Sequence, residues 1–248
     1  MQRQRLPRAC ARKTQLRIKA DNPNFVRDYP IEPEVSSVKP NFETLSFLNM
    51  GISVAPSLIP NAGHGIFAQK CFQVGDVITE YAGTVLLAGK VDVLAVQSFN
   101  LGVPFPAIFY YEEIPSTAYG ISAYGKCEDT GDAAGHKLND PQDASLWNAT
   151  TRTIARSLIP SYVEDDQNKY MDQSISKLKY RLFLVATKEI YPGQEIFQPY
   201  GMEYWKRADI YSEIPRLTQE QVETINTVQI KHRVKCDSKK RTAEFKDD

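Results

Sequence analysis

The sequence predicts a mostly β domain of the α+β class, followed by a C-terminal helix. Residues 51–205 consist of short apolar runs separated by Gly, Pro and Asn, which is typical of many short strands. Residues 1–50 are polar and interrupted by prolines, which break helices and sheets alike. A chain of 248 residues can hold one substantial domain with extensions. We therefore divide it into a basic arm with a Pro-rich extension (1–50), the domain (51–205) and a C-terminal helix with a frayed tail (206–248).

Two stretches are the clearest strands. Asp76 to Tyr81 alternates in polarity, whereas Tyr180 to Thr187 is apolar on both faces and is therefore expected at the centre of a sheet. Two similar turns precede strands, Gln73 to Asp76 and Tyr191 to Gln194. The second has Pro and then Gly at its centre, as a type II turn requires.

The C-terminal helix is predicted to begin at Thr218. Thr218 and Gln221 have the spacing of a capping box, in which each side chain bonds the other residue's backbone N–H. Val222, Ile225 and Val228 follow at roughly helical spacing and predict the packed face.

Composition and charge exclude several classes of protein. The formal net charge is zero, so we expect no general affinity for nucleic acid and no sequence-specific nucleic-acid binding. No apolar run has the length of a secretory signal or a membrane span, which predicts a soluble protein of the nucleus or cytoplasm with no membrane association. The cysteines lack the spacing of metal ligands, so we expect no metal and reduced thiols: Cys10, Cys71, Cys127 and Cys236.

The first 19 residues contain seven Arg or Lys and no acid. Three interpretations stay open: a solvated tail, an arm for nuclear import or polyanion contact, and an organelle transit peptide. The absence of serine and the presence of Pro7 argue against the last of these. Within this arm, Ala11 to Thr14 has the Ala-Arg-Lys-Ser/Thr form of histone-tail lysines.

Three short motifs have both a structural and a functional interpretation. Gly63-His64-Gly65 is either an ordinary turn before a strand or a backbone that a ligand approaches closely. Asn139-Asp140 precedes Pro141 and is either a turn or a polar contact. The segment from Pro199 to Trp205 carries two tyrosines and a tryptophan on an irregular turn, which suits a core plug or a flat-walled site with a hydroxyl.

The order of these motifs resembles the SET-domain family of protein lysine methyltransferases. The family's opening G-x-G is similar to Gly63-His64-Gly65, and its GE-x-I-x-E-Y-x-G strand is similar to Gly75 to Gly83. Its R-x-I-N-H-S and P-N-A motifs resemble residues 136–140 and 147–149. Its closing I-x-x-G-E-E-L-x-x-D-Y-G resembles Ile190 to Gly201. A loose match to Y-x-I-D-A lies at residues 119–123, and the likeness covers roughly residues 58–205.

The resemblance implies a SET-like fold of several small sheets with a pseudoknot-like C-terminal segment, and S-adenosylmethionine as the cofactor. It implies a protein or peptide substrate, with a histone tail as one candidate. Tyr200 is implied as the principal catalytic tyrosine, and Tyr81 as a second catalytic residue that lines the lysine channel. Gln198 and Tyr204 belong to the same channel. The implied cofactor contacts are Gly63, His64, Gly65, Asn139, Asp140, Tyr200 and Trp205.

Three departures from the family pattern keep other functions open. Asp140 stands where the family has histidine, and Gln198 occupies the Phe or Tyr position that governs how many methyl groups are added. The Cys-rich flanking modules of many histone-directed members are also absent, so Trp205 or the helix after Thr218 is expected to close the cofactor side. The alternatives are a degenerate SET module that binds proteins, and an enzyme whose acceptor is a histidine or a non-histone lysine. Lys13 is a further hypothesis, as a site of automethylation or a pseudosubstrate.

Overall fold

The computed structural model describes residues 39–81, 83–87, 111–113, 119–122, 135–163, 180–201 and 217–244. Within them, ten short strands and one long helix account for most of the regular structure, which confirms the predicted mostly β class. The strands are β1 (Phe47–Leu48), β2 (Gly51–Pro56), β3 (His64–Ala68), β4 (Val77–Glu80), β5 (Thr84–Leu87), β6 (Tyr111–Glu113), β7 (Tyr119–Ser122), β8 (Ala149–Ala155), β9 (Tyr180–Ala186) and β10 (Glu195–Ile196). The helix is α1 (Gln219–Glu244), and 3-10 turns span Phe42–Thr44, Gly135–Lys137 and Arg156–Leu158.

The strands form three small sheets with the orders β1-β2-β3-β10, β4-β9-β8 and β5-β7-β6. The β1–β2 pair is parallel, and every other strand pair within these sheets is antiparallel. In the first sheet, β10 reaches β3 from far along the chain and pairs Glu195 with Phe67 and Ile196 with Ile66. This pairing brings the C-terminal motif beside the glycine turn at the start of β3.

Strand β9 is the central strand of its sheet, as its continuous apolar sequence predicted. Strand β4 differs from what its alternating polarity suggests. All four of its residues are buried, so the polar residues do not face solvent. Glu80 is accommodated there by a bidentate ion pair with Arg181, in which both N–O distances are 2.8 Å and both side chains are 1% exposed. Paired hydrogen bonds of this kind offset the cost of burying two charges.

The core lies where the first two sheets meet the loop before β8. One cluster of buried apolar side chains includes Ile52, Ile66, Phe72, Ile78, Leu138 and Ile196. A second includes Phe42, Val77 and Phe183, and the rings of Phe42 and Phe183 meet edge to face with centroids 5.1 Å apart. Helix α1 adds Val222 and Ile225, which pack against Leu146, Trp147 and Phe197.

Both predicted turns form, and each has a glycine in the left-handed region at its third position. Gly75 has φ +92° and Gly193 has φ +90°, and each turn closes with a hydrogen bond between its first and fourth residues. Such φ values favour glycine, because a Cβ would meet the backbone. The two turns therefore arise from the same local requirement.

Helix α1 begins with the predicted capping box. The Thr218 N–H donates to Gln221 Oε1 at 2.8 Å, and the Gln221 N–H donates to Thr218 Oγ1 at 3.3 Å. The helix continues to Glu244, into the last dozen residues, for which the sequence predicted a frayed tail. Over residues 219–235, for which burial is described, the buried positions are Val222, Ile225 and Gln229, while Val228 is only half-buried.

The described part of the predicted N-terminal extension contacts the domain. The Asn41 N–H donates to the Gly75 carbonyl and the Asn41 carbonyl accepts from the Val77 N–H, both at 2.9 Å. Residues 47–48 then form β1. The proposed domain limits at residues 50 and 205 remain predictions. No helix among the residues that the structure describes is long and apolar enough to cross a membrane.

Candidate functional site

The Glu195 side chain lies against the glycine turn and explains why residue 65 must be a glycine. A Cβ on Gly65 would lie 1.9 Å from Glu195 Oε1 and 3.1 Å from Asn139 Nδ2. A Cβ on Gly63 would meet no atom within 4 Å, and Gly63 has φ +73°. Gly65 therefore serves a close approach inside the protein, whereas Gly63 serves the turn and leaves open space above its backbone.

The Glu195 carboxylate joins three segments of chain. Its Oε1 accepts from Ser57 Oγ at 2.7 Å, and its Oε2 accepts from the Leu58 N–H at 2.6 Å. Asn139 Nδ2 donates to Oε1 at 3.3 Å. Burial raises the pKa of the Glu195 carboxyl, and the hydrogen bonds from Leu58, Ser57 and Asn139 act in the opposite direction. The carboxyl is fully buried, so it acts as a structural acceptor rather than a surface charge.

Asn139 connects the glycine turn with the C-terminal motif. Its Nδ2 donates to the His64 carbonyl at 3.0 Å, and its own carbonyl accepts from the Gln198 N–H at 3.2 Å. Residue 139 also forms a parallel bridge with Phe197. Asn148, which lies within the second motif at 147–149, donates from Nδ2 to the Glu195 carbonyl at 3.0 Å. Residues 195–198 are thus bonded to both parts of the 139–148 loop, where the sequence predicted a pseudoknot-like crossing.

Tyr200 and Tyr81 contact the two ends of one short segment, residues 135–138. The Tyr200 hydroxyl donates a short hydrogen bond to the Leu138 carbonyl. At the other end, a Cβ on Gly135 would lie 2.9 Å from the Tyr81 Cα, so the two backbones are in close contact. Tyr81 is buried and Tyr200 is half-buried. The two tyrosines predicted to be catalytic therefore pack against the same segment.

Asp140 is buried and its carboxylate accepts from three donors of this chain. Oδ1 accepts from the Gln142 N–H at 2.7 Å and from Trp147 Nε1 at 2.8 Å. Oδ2 accepts from the Tyr200 N–H at 2.8 Å. The carboxylate thus organises the loop and the Tyr200 backbone, and its role as a cofactor contact remains a prediction from the resemblance.

Gln198 is buried, with 2% of its surface exposed, and has a fixed neighbour. Its Oε1 accepts from Thr151 Oγ1 at 2.6 Å, so the hydroxyl on strand β8 determines where the amide lies. A polar side chain here is stable because its carbonyl is hydrogen-bonded. Nothing in the sequence motif indicated Thr151, which is a partner only through the tertiary structure.

Helix α1 reaches this site through Gln229. The Gln229 Oε1 accepts from the Glu195 N–H at 3.1 Å, and Nε2 donates to the Glu195 carbonyl at 2.8 Å. The Gln229 carbonyl accepts from Gln194 Nε2 at 2.7 Å. A single side-chain amide therefore bonds the β10 backbone as a neighbouring strand would. The sequence analysis missed this residue because it followed only the apolar positions of the helix.

The structure brings together most of the predicted site. Glu195 itself was missed as a site residue, although an acid directly before the apolar pair Ile196-Phe197 was a usable signal. Trp205 and Tyr204, predicted for the adenine wall and the channel, lie outside the described residues, as does Lys13 with the basic arm. Among the residues described, no group of three His, Cys, Asp or Glu is arranged to hold a metal ion.

Comparisons with known proteins agree with the order of these motifs. The sequence profile described as the SET domain matches residues 63–201, more than half of the chain. No curated protein matches the chain. Two similar solved structures are CpSET8 from Cryptosporidium, with 18% identity and a TM-score of 0.42, and an autoinhibited ctPRC2 bound to S-adenosylmethionine, with 16% identity and a TM-score of 0.41.

These similarities cover 60% and 61% of this chain, but only 57% and 15% of the respective solved chains. The family assignment comes from the profile match, which runs from the glycine turn at Gly63 to the end of the aromatic motif at Gly201. It includes Asn139, Glu195 and Tyr200, whose contacts connect the two ends of that match. The chain therefore belongs to the SET-domain family, whose members are typically S-adenosylmethionine-dependent protein methyltransferases.

Proposed function

We propose that this SET-domain protein is an S-adenosylmethionine-dependent methyltransferase that transfers a methyl group to the side-chain amine of a protein lysine. One observation carries the proposal: the first and last motifs of the family match, at Gly63 and at Tyr200, are connected through hydrogen bonds of the same loop. Glu195 and Asn139 hold the glycine turn, and the segment next to Asn139 bonds both ends of Tyr200.

The residues present fit the cofactor. His64 and Gly63 are exposed, and the space above Gly63 would let a ligand reach the backbone of the turn. Asn139 is half-buried beside this turn and holds it through the His64 carbonyl. When bound, S-adenosylmethionine supplies a methyl group on a positively charged sulfur, which is open to attack by a neutral amine.

The aromatic residues suit a lysine acceptor. A lysine amine has a pKa of about 10.4, so roughly one in a thousand is neutral at pH 7. An apolar aromatic channel and a neighbouring positive sulfur both disfavour the ammonium form, and its proton can pass to water. With the cofactor bound, the neutral amine would form its bond to the methyl carbon as the carbon–sulfur bond of the cofactor breaks. Tyr81 and Tyr200 would hold the amine in line with the methyl carbon and the sulfur. Such alignment typically lowers the reaction barrier by several kcal/mol.

A methyl-transfer assay with isotope-labelled S-adenosylmethionine tests the proposal. We expect label to enter protein when the chain is incubated with histones and with cell extract, and amino-acid analysis of the product to give methyllysine. Label in methylhistidine would support the alternative acceptor, which the polar Gln198 favours. The absence of both transfer and calorimetric cofactor binding would support the degenerate binding module. Intact-mass measurement of the same samples would show whether Lys13 gains a methyl group.

Tyr200→Phe tests the assigned catalytic role. The substitution removes the hydroxyl that donates to the Leu138 carbonyl and keeps the ring. We expect turnover to fall at least ~100-fold, with cofactor affinity little changed, because the phenol aims the amine. Tyr162→Phe is the matched control, since Tyr162 is exposed and lies outside the site. Wild-type turnover in the Tyr200 variant would refute the role.

A further inference from the structure

Asp140 occupies the position at which the family pattern has histidine, and its contacts suggest a different task. We propose that Asp140 is the positioning residue for the catalytic tyrosine, and that it acts on methyl transfer through Tyr200 rather than as a cofactor ligand. The proposal rests on the proposed methyltransferase function. Its basis is the hydrogen bond of 2.8 Å from the Tyr200 N–H to Asp140 Oδ2.

The segment from Leu138 to Asp140 holds Tyr200 at both ends. The Leu138 carbonyl accepts from the Tyr200 hydroxyl, and the Asp140 carboxylate accepts from the Tyr200 N–H. Between them, Asn139 holds the glycine turn through the His64 carbonyl. Two fixed points, the backbone N–H and the hydroxyl at the end of the side chain, define both the position and the direction of the Tyr200 ring. The same three residues therefore relate the phenol to the proposed cofactor turn.

A carboxylate satisfies the three donors found at residue 140. Its two oxygens accept bonds from the Gln142 N–H, the Trp147 indole and the Tyr200 N–H. A neutral imidazole has a single acceptor nitrogen, so a histidine in this orientation could serve one of the three. The side chain is also 6% exposed, which makes an unsatisfied donor costly. An aspartate in place of the family's histidine therefore suits the donors that surround residue 140.

Asp140→Asn is a selective test, because the hydrogen bonds found at the two carboxylate oxygens differ: Oδ1 accepts from Gln142 and Trp147, and Oδ2 accepts from Tyr200. The asparagine oxygen is expected to take the place of Oδ1, which has two donors, Gln142 and Trp147. Its amide NH₂ group then faces the Tyr200 N–H, so donor meets donor and that hydrogen bond is lost. The rest of the loop keeps its bonds, and the change falls on Tyr200.

Hydrogen exchange of the Tyr200 amide gives a readout that needs no activity. In wild-type protein with isotope-labelled tyrosine, NMR should show this amide protected, and in Asp140→Asn its exchange should be at least tenfold faster. Trp147→Phe is the comparison for a purely structural role, since it removes a donor to Oδ1 and leaves Oδ2 bonded to Tyr200. Asp143→Asn is the control for a carboxylate in the neighbouring turn, because the Asp143 side chain accepts from Ser145, and no hydrogen bond found among the described residues joins it to Tyr200 or Asp140. An unprotected Tyr200 amide in the wild-type protein would overturn the proposal, whether or not the variants fold.

Kinetics then separate positioning from cofactor binding. We expect Asp140→Asn to lower kcat at least tenfold and to change the cofactor Kd less than twofold. On a Tyr200→Phe background the same change should lower kcat less than twofold, because the group it positions is gone. Additive effects, or a tenfold higher cofactor Kd with unchanged kcat, would overturn the proposal. If wild-type protein transfers no methyl group, the proposed function fails, and exchange together with cofactor Kd still decides whether Asp140 holds Tyr200.

Discussion

Replacement of Gly65 by alanine should be far more damaging than the usual glycine-to-alanine change. The new Cβ would lie 1.9 Å from Glu195 Oε1, so one of the two must move by about 1.5 Å to reach ordinary van der Waals contact. Such a movement breaks the hydrogen bonds from Ser57 at 2.7 Å and from the Leu58 N–H at 2.6 Å. Two hydrogen bonds to a charged group contribute about 3–6 kcal/mol.

Urea denaturation followed by tryptophan fluorescence measures this loss. Gly63→Ala is the matched control, because it has φ +73° but no atom within 4 Å of the added Cβ. Its expected cost is about 1–2 kcal/mol, from backbone strain alone. We therefore expect Gly65→Ala to lower the free energy of unfolding by at least ~2 kcal/mol more than Gly63→Ala. Equal losses in the two variants would refute the close-approach reasoning.

A double-mutant cycle identifies the atom responsible. Glu195→Ala removes the carboxylate that the new Cβ would meet, although it also leaves the Leu58 N–H without this acceptor. If the collision is the cause, the Gly65→Ala change should cost much less in the Glu195→Ala background than in wild type. An unchanged cost in that background would show that the damage has another source.

Two further predictions concern the same buried strand. Because the folded pKa of Glu195 is raised by burial, its folded form binds a proton more tightly than its unfolded form. The free energy of unfolding should therefore fall as the pH rises from about 4.3 to the raised folded value, and Glu195→Gln should lack this component in pH-dependent denaturation. Gln229→Leu should lower the free energy of unfolding by about 2 kcal/mol, because the Glu195 N–H and carbonyl both lose a partner, whereas the exposed Thr227→Ala should change it little. Urea denaturation tests both variants, and an unchanged stability of Gln229→Leu would mean that the Gln229 side-chain amide does not contribute to holding helix α1.

Local signals in the sequence were sufficient for the individual elements. The Pro-Gly pair predicted the turn at 191–194, the Thr218–Gln221 spacing predicted the helix start, and the apolar run predicted the central strand β9. Each of these depends on interactions within a few residues, or on burial of a whole segment. The order of the motifs also indicated the family that the profile match shows.

Contacts between distant segments were beyond the sequence. Burial of Glu80 in β4 depends on its pairing with Arg181, which lies 101 residues away. The partners of Gln198 and Asp140 could not be read from their motifs either, since Thr151 and Tyr200 reach them only after the chain has folded. A sequence motif indicates which residue types suit a position, but it does not identify the hydrogen-bond partner that a distant segment supplies.

The sequence by itself determined the class of the domain and the family, because these depend on local backbone preferences and on the order of short motifs. The tertiary structure alone decided that Gly65 must lack a side chain to admit Glu195, and that Asp140 faces the Tyr200 backbone. Both facts require two distant segments to meet in a buried space, where every donor needs an acceptor and no extra atom fits.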